Sequence, residues 1–340
     1  MAVTLKDIAR DLGVSVVTVS KAMRSQSDIS EETRQRVLKR VQELNYYPNL
    51  AARALVTGKT YALGLVVPDL VHPFFSEVAQ GLSSVLRRKN YSLLIASSEE
   101  DPCLERQEIE RLLSRGVDGI IIASTQCTVE SFRRIEENKV PYILIDRHFL
   151  GWPANFVGVD DVAVGRLATQ HLISVGCTRI AHIRGPAIST ALGRVEGYSQ
   201  ALAANNLGPF SGYVVPARSG DVEAYRTGAE SMSKLLSLDP RPEGVFCYND
   251  PIGIGAIDTI LEAGLRVPED IAVIGCGNLP YDKSLRVPLS SVDQQSAAIG
   301  ERAAKLAFSL IQARTPPRPK SIILEAHVVE RASTRKNPSS

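Results

Sequence analysis

The stretch Thr4-Leu5-Lys6-Asp7-Ile8-Ala9-Arg10-Asp11-Leu12-Gly13-Val14-Ser15-Val16-Val17-Thr18-Val19-Ser20-Lys21-Ala22-Met23 contains two helix starts with a stop between them. Thr4 stands three residues before Asp7, the spacing of a capping box in which Asp replaces the usual Glu or Gln. Leu5, Ile8, Ala9 and Leu12 then share one helical face. Gly13 suits the left-handed position that closes a helix. Val14 enters a tight turn, and Ser15 is placed to cap a second helix over 16–23. Helix, glycine-containing turn and second short helix form a helix-turn-helix candidate.

Working outward, Ser30 ahead of Glu31-Glu32-Thr33 predicts a third helix, with Val37, Leu38, Val41 and Leu44 apolar. Residues 1–46 are expected to form an all-α head. Across 1–60, ten Lys/Arg face six acids, a charge of +4 against +2 for all 340 residues. A basic head on a near-neutral body is the asymmetry expected when one end of a chain meets a polyanion.

Residues 4–23, together with S-E-E-T-R-Q-R-V-L-K-R-V-Q-E-L-N-Y-Y-P-N-L-A-A-R-A-L at 30–55, closely resemble the opening of the lactose-repressor (LacI/GalR) family of bacterial transcription regulators. The resemblance implies a second helix in the major groove of double-stranded operator DNA, with Val16, Val17 and Lys21 toward base edges. Valines cannot donate hydrogen bonds but can pack on a thymine methyl, whereas Lys21 can reach guanine O6 and N7. Lys21 is thus the expected direct reader, and Leu5 adds an apolar base contact. Thr18, Ser20, Thr33 and Asn49 are candidate phosphate contacts; Thr4, Ser15, Arg24 and Ala52 complete the DNA-contacting set. Residues 47–60 resemble the family hinge. Pro48 suits a first helical turn, the alanines let two such helices pack closely, and Leu55 is the expected minor-groove wedge. So short a helix is marginal alone and should form only against DNA and a second subunit.

From Tyr61 the texture changes. Apolar runs at 62–68, 91–96, 119–123, 142–145, 180–183, 244–248 and 271–275 alternate with helical stretches. Near-continuous apolar strands between helices imply doubly wound α/β with parallel sheet covered on both faces. The number of units suggests two sheets. Thr315–Pro319 reads as a connector to a last strand over 321–329, and 334–340 as a polar, frayed tail. Residues 61–333 resemble the periplasmic sugar-binding fold that this family shares. The expected parts are a core N-terminal subdomain, 61–160 plus 289–318, and a C-terminal one, 161–288 plus 319–333.

In such sheets a ligand sits at the carboxyl ends of the strands, here between subdomains. The candidates for a small-molecule effector are Phe74 and Phe75 after the first strand, Ser98 after the second, and Asp146 and Arg147 after the fourth. A carboxylate beside a guanidinium suits vicinal hydroxyls or an anion. Arg194, in S-T-A-L-G-R-V-E-G-Y, matches the family's clamping arginine, and Asn249-Asp250 its N-D dipeptide. Gln294 is expected to begin the helix after the second crossover. Where many relatives carry G-Y-D-D or G-Y-D-N, this chain reads Gly275-Cys276-Gly277-Asn278. Gly277 therefore stands in place of a pocket carboxylate, with Asn278 as the nearest polar substitute, and Val222 stands where an aromatic is common. The effector is read as sugar-like, with a sugar acid, a sugar phosphate or a non-sugar left open. The helix 74–88 and its neighbours should form a two-fold interface. With no leucine heptads after Thr334, a homodimer is expected rather than a tetramer.

Other classes fit less well. No P-loop, H-E-x-x-H or G-x-S-x-G occurs, and the G-x-G at Gly253–Gly255 and Gly275–Gly277 lack a third glycine. Five scattered cysteines, none in C-x-x-C, argue against a zinc site or disulfide framework and fit a reducing cytoplasm. No cofactor, metal or catalysis is expected. With no h-region at the start and no run near the roughly 18 apolar residues a span needs, neither export nor membrane insertion is expected. The rivals are a solute-binding or sugar-sensing protein of the same core fold without DNA regulation, and a regulator controlled by a protein partner.

Overall fold

The computed structural model describes residues 3–23, 26, 28–47, 54, 58–126, 128–149, 151–208, 210–217 and 222–335. The expectations for Arg24, Pro48, Asn49, Ala52, Leu55 and the hinge helix lie outside the described residues. The chain divides into two compact units, Met1–Thr60 and Tyr61–Ser340.

The first unit contains α1 (Leu5–Leu12), α2 (Val16–Met23) and α3 (Glu31–Glu43). The Thr4 capping box is complete, with Asp7 reaching back to the Thr4 N–H at 3.0 Å. Gly13 closes α1 at φ 66°, which a residue with a Cβ adopts only at a cost. Ile8, Ala9, Val19, Ala22 and Val37 form the small core, with Leu5, Leu12, Val41, Leu44 and Tyr46 around it.

The second unit holds two six-stranded sheets. The first is built from β1 (Ala62–Val67), β2 (Ser92–Ser97), β3 (Gly119–Ile122), β4 (Tyr142–Ile145), β5 (Phe156–Val159) and β11 (Ser321–Leu324), in the order β11-β5-β4-β3-β1-β2. The second is built from β6 (Ile180–Arg184), β7 (Val214–Pro216), β8 (Gly244–Cys247), β9 (Ala272–Cys276), β10 (Ser290–Asp293) and β12 (His327–Val329), in the order β12-β10-β9-β8-β6-β7. All pairings are parallel except β12 on β10. Alternate residues of β1 enter different cores. Leu63, Leu65 and Val67 meet α4 (Pro73–Arg88) and α11 (Ser296–Gln312), while Val66 meets α5 (Pro102–Ser114) and α6 (Glu130–Glu137). The second sheet is covered likewise by α7 (Asp161–Ser174) with α8 (Ser189–Ala204), and by α9 (Ala224–Leu236) with α10 (Asp250–Glu262). Burial on both faces explains why the strands read as unbroken apolar runs.

Three helix pairs approach by reciprocal glycines. A Cβ on Gly165 of α7 would lie 2.1 Å from the Arg194 carbonyl of α8, and one on Gly197 of α8 would lie 2.0 Å from the Val162 carbonyl of α7. Gly81 with Gly300, and Gly228 with Gly255, repeat the arrangement for α4/α11 and α9/α10. Gly255, half of a G-x-G in the sequence, is thus a helix-packing residue.

Several expected boundaries move. β10 pairs with β9, so residues 289–293 belong with the second sheet, and the chain crosses to α11 only after Asp293. The strand expected over 321–329 is two: β11 pairs with β5 in the first sheet and β12 with β10 in the second. The last crossover therefore falls at Glu325–Ala326 rather than at 318. The expected frayed tail also begins too early. Ser333 and Thr334 are fully buried, and Thr334 Oγ1 lies 2.7 Å from both Ser290 Oγ and His171 Nε2. No described helix is long and apolar enough to cross a membrane.

Candidate nucleic-acid interface and ligand cleft

In the head, capping and exposure separate the predicted contacts. Ser15 Oγ accepts the Thr18 N–H at 3.0 Å and lies 2.8 Å from Thr18 Oγ1. Ser30 Oγ accepts the Thr33 N–H and donates to Thr33 Oγ1 at 2.9 Å. Thr4 Oγ1 donates to Asp7 at 2.7 Å. These hydroxyls hold helix starts. Leu5 is half-buried against the head core, and Thr18 and Ser20 are half-buried. Val16 and Val17, by contrast, are 38% and 61% exposed, side by side at the start of α2. One turn on, Lys21 pairs with Asp28, which holds the Asp28 carboxyl below its ordinary pKa.

In the second unit two of the predicted cleft residues, Arg194 and Gln294, meet directly. Arg194 is the centre. Its Nε donates to Asp161 Oδ1 at 3.0 Å, Nη1 to the Tyr248 carbonyl at 2.6 Å, and Nη2 to Gln294 Oε1 at 2.9 Å. The guanidinium lies 4.7 Å from the Tyr248 ring centroid. Burial pushes Asp161 up and Arg194 pulls it back. Asp161 starts α7 directly after the first crossover, so one planar cation ties that helix to β8 and to the second crossover. Sequence reading missed Asp161; the Asp160-Asp161 doublet after β5 was the available signal. Gln294 does not begin α11 but precedes it by two residues, on the crossover itself.

Asp146 sits at φ 60° after β4, and Arg147 is 3% exposed, with Nη1 on the Ser124 carbonyl and Nη2 3.7 Å from Glu100. A cavity of about 460 Å³ opens here between the two sheets, lined by Ser124, Arg147, Ile188 and Ser189 among others. His148 N–H bridges the gap to Ser189 Oγ at 3.0 Å. Asn249 caps α10 through its Oδ1, and its Nδ2 lies 3.3 Å from His72 Nε2. His72, at the start of α4, was not predicted. Phe74 and Phe75 are both in the first core, edge to face at 5.0 Å, so neither offers a free stacking face. Ser98 is fully buried, its Oγ donating to the Val67 carbonyl.

Two residues depart from the expected cleft. Asn278 turns outward: its Nδ2 donates to Asp293 at 2.9 Å, and its Oδ1 accepts from Arg331 at 2.5 Å. Asp250 is fully buried, accepting from Ser291 Oγ at 2.6 Å and Leu279 N–H at 3.2 Å. Gly275 and Gly277 make room for it, since a Cβ there would lie 2.1 and 2.9 Å from its oxygens. Gly277 is thus a residue that lets Asp250 lie against the end of β9.

Asp282, also fully buried, lies near Asp250, and neither of its carboxyl oxygens has a hydrogen-bond partner among the described residues. Burial and that neighbouring carboxylate push Asp282 up to about 9, so it holds a proton at neutral pH. The folded state then binds more protons than the unfolded one from the usual carboxylate pKa of roughly 4 up to about 9, and stability falls as pH rises through that window. Asp282→Asn should flatten this slope and raise the melting temperature at about pH 8 relative to wild type. Thermal melts across that range check it; a wild-type curve already flat there would contradict the buried pair.

The comparisons with known proteins agree with this geometry. The model for bacterial regulatory proteins of the lacI family matches residues 4–49, and that for a periplasmic binding protein-like domain matches residues 169–334. The ribose operon repressor of Escherichia coli is 34% identical over 88% of this chain and 90% of its own length. The chain belongs to the LacI family. A transcriptional repressor named PurR from Mannheimia succiniciproducens is 31% identical over 98% of this LacI-family chain and 99% of its own. Among solved structures, the lac repressor dimer bound to operator and the anti-inducer ONPF superposes with a TM-score of 0.85 at 25% identity, covering 98% of this chain and 99% of that one. A complex of the transcriptional regulator CelR with cellobiose gives 0.74 at 29%, over 97% and 99%. These relatives are DNA-binding transcription regulators, not enzymes.

Proposed function

We propose that this LacI-family regulator acts as a repressor in the cytoplasm. In this reading it binds a pseudo-palindromic operator as a homodimer and changes its DNA affinity when a small hydroxylated molecule enters the core cleft. The observation that carries the reading is α2: two exposed valines and a lysine on one short helix, behind a serine-capped glycine turn. Lys21 trades Asp28 for a base edge. An exposed pair is worth at most about 1 kcal/mol, whereas a good base contact discriminates by roughly 1–3 kcal/mol, so the exchange favours DNA. Lys21→Ala should therefore relax preference at one position of each half-site. Binding-motif selection on the variant checks this, and an unchanged motif refutes the role.

Two such heads on one two-fold axis match an inverted repeat. Leu70, Val71 and Ile95 support a dimer contact near α4 and the edge strand β2, being 52%, 85% and 46% exposed. Ile95→Asp should shift the protein toward monomer in sedimentation. An unchanged dimer would move the interface elsewhere.

For the effector, Arg147 lines a cavity of ligand size, and Asp146, Arg147 and Arg194 are the proposed sources of charge-assisted hydrogen bonds. Relatives solved with cellobiose and with ribose support the reading of the ligand as a sugar or sugar derivative. The cleft lies between two bodies joined by crossover strands, so a ligand that prefers one closure angle shifts the population of that state. Induction, in which effector lowers DNA affinity, is the sign proposed.

A further inference from the structure

A second cavity of about 470 Å³ adjoins the Arg147 cavity and shares His148, Phe149, Ser189 and Leu192 with it. It runs along β5, from its first residue to Val159, Asp160 and Asp161 at its carboxyl end. Phe156 and Ser321, which line it, are the first residues of β5 and β11. Its volume lies in the range of small-molecule sites. Phe149, Trp152 and Phe156 supply aromatic surface from the first sheet, and Leu192 and Ile323 are 50% and 54% exposed beside them.

The polar side of the lining has one sign. Asp160, Asp161 and Glu196 line the cavity, and the lining includes no lysine or arginine. Asp161 is neutralised by Arg194, and Asp160 accepts two backbone N–H groups at the start of α7. Glu196 accepts from Gln200 and remains an exposed anion. His148 Nδ1 is buried, with no hydrogen-bond partner among the described residues, so one more acceptor or donor is on offer.

We propose that this cavity is a second small-molecule subsite, adjoining the effector cavity, and that it takes an amphipathic cation. Its ring or cyclic hydrocarbon body would lie against Phe149, Trp152 and Phe156, where a cation also gains from the ring faces. Its protonated amine would meet Asp160 and Glu196.

The chain contains a single tryptophan, Trp152, so its intrinsic fluorescence reports on this cavity. Full-length protein is titrated with phenethylamine, and with phenylacetate and benzyl alcohol as anionic and neutral counterparts at constant ionic strength. The expected result is a saturable change in emission with phenethylamine, at least tenfold weaker binding of the other two, and a several-fold loss in Glu196→Gln. Leu192→Arg, a change at a half-exposed side chain, should abolish it while circular dichroism and melting stay as in wild type. No saturation at millimolar amine overturns the proposal. So does equal affinity for phenylacetate, or saturable binding that survives Leu192→Arg.

Discussion

Arg194→Ala should lower core stability by about 3–5 kcal/mol, because it strands the Asp161 carboxylate in a site with almost no solvent. Both side chains are buried, and the 3.0 Å ion pair is one of three bonds in the guanidinium plane. Loss of the arginine also leaves the Tyr248 carbonyl and Gln294 Oε1 without their donor, which is the costly half of breaking a buried bond. For a unit of this size the melting temperature should fall by on the order of 10 °C. Lysine cannot substitute, since one ammonium cannot address three acceptors in a plane. Arg194→Met combined with Asp161→Leu should recover most of the loss, as apolar replacements of buried pairs commonly do. Calorimetry of the three proteins decides: a stable Arg194→Ala variant would mean that Asp161 is not held as a charge. An effector-response assay on the double variant then isolates the role of Arg194 in ligand capture from its role as a strut.

The second large effect concerns the α7/α8 contact. Gly197→Ala should destabilise by about 1–3 kcal/mol or more, the range for overpacking a close interface. The added methyl would sit 2.0 Å from the Val162 carbonyl, which is backbone in the first turn after the crossover and cannot swing aside as a side chain would. Relief requires α7 and α8 to part, which would also disturb Arg194 on α8 and Asp161 on α7. Gly208→Ala is the internal control: nothing lies within 4 Å of its Cβ position, so it should be neutral or slightly stabilising. Chemical denaturation compares them; equal midpoints for Gly197→Ala and wild type would refute the close-packing account.

Much of this was legible in the residues. Thr4, Gly13, Ser15 and Ser30 fixed the head because a cap needs one residue type at one place. The main strands were legible because both faces of each are buried. What stayed hidden was hidden for physical reasons. β7 has three residues, of which only Val215 is buried, too few for a pattern to show. β10 reads Ser290-Ser291-Val292-Asp293, polar in sequence yet largely buried, because its hydroxyls are satisfied by Arg331, Thr334 and Asp250. One apolar run, 321–329, was divided between two sheets by a crossover that no turn residue announces. The cleft was legible as a set of candidates rather than as roles. Arg194 and Gln294 come together, but Asn249 meets His72, Asp250 faces Asp282 and Ser291, and Asn278 answers to Arg331. Asp161, His72 and Asp282 lie far in sequence from the groups they meet, and no local pattern marks them.

The reading of α2 as a DNA-reading helix, doubled by a two-fold axis, is tested most directly by in vitro selection from random-sequence duplexes with the purified full-length chain at moderate salt. Enrichment of a short inverted repeat is predicted, with one position per half-site losing information in Lys21→Ala. Recovery of no enriched repeat, with and without sugars present, would contradict the account.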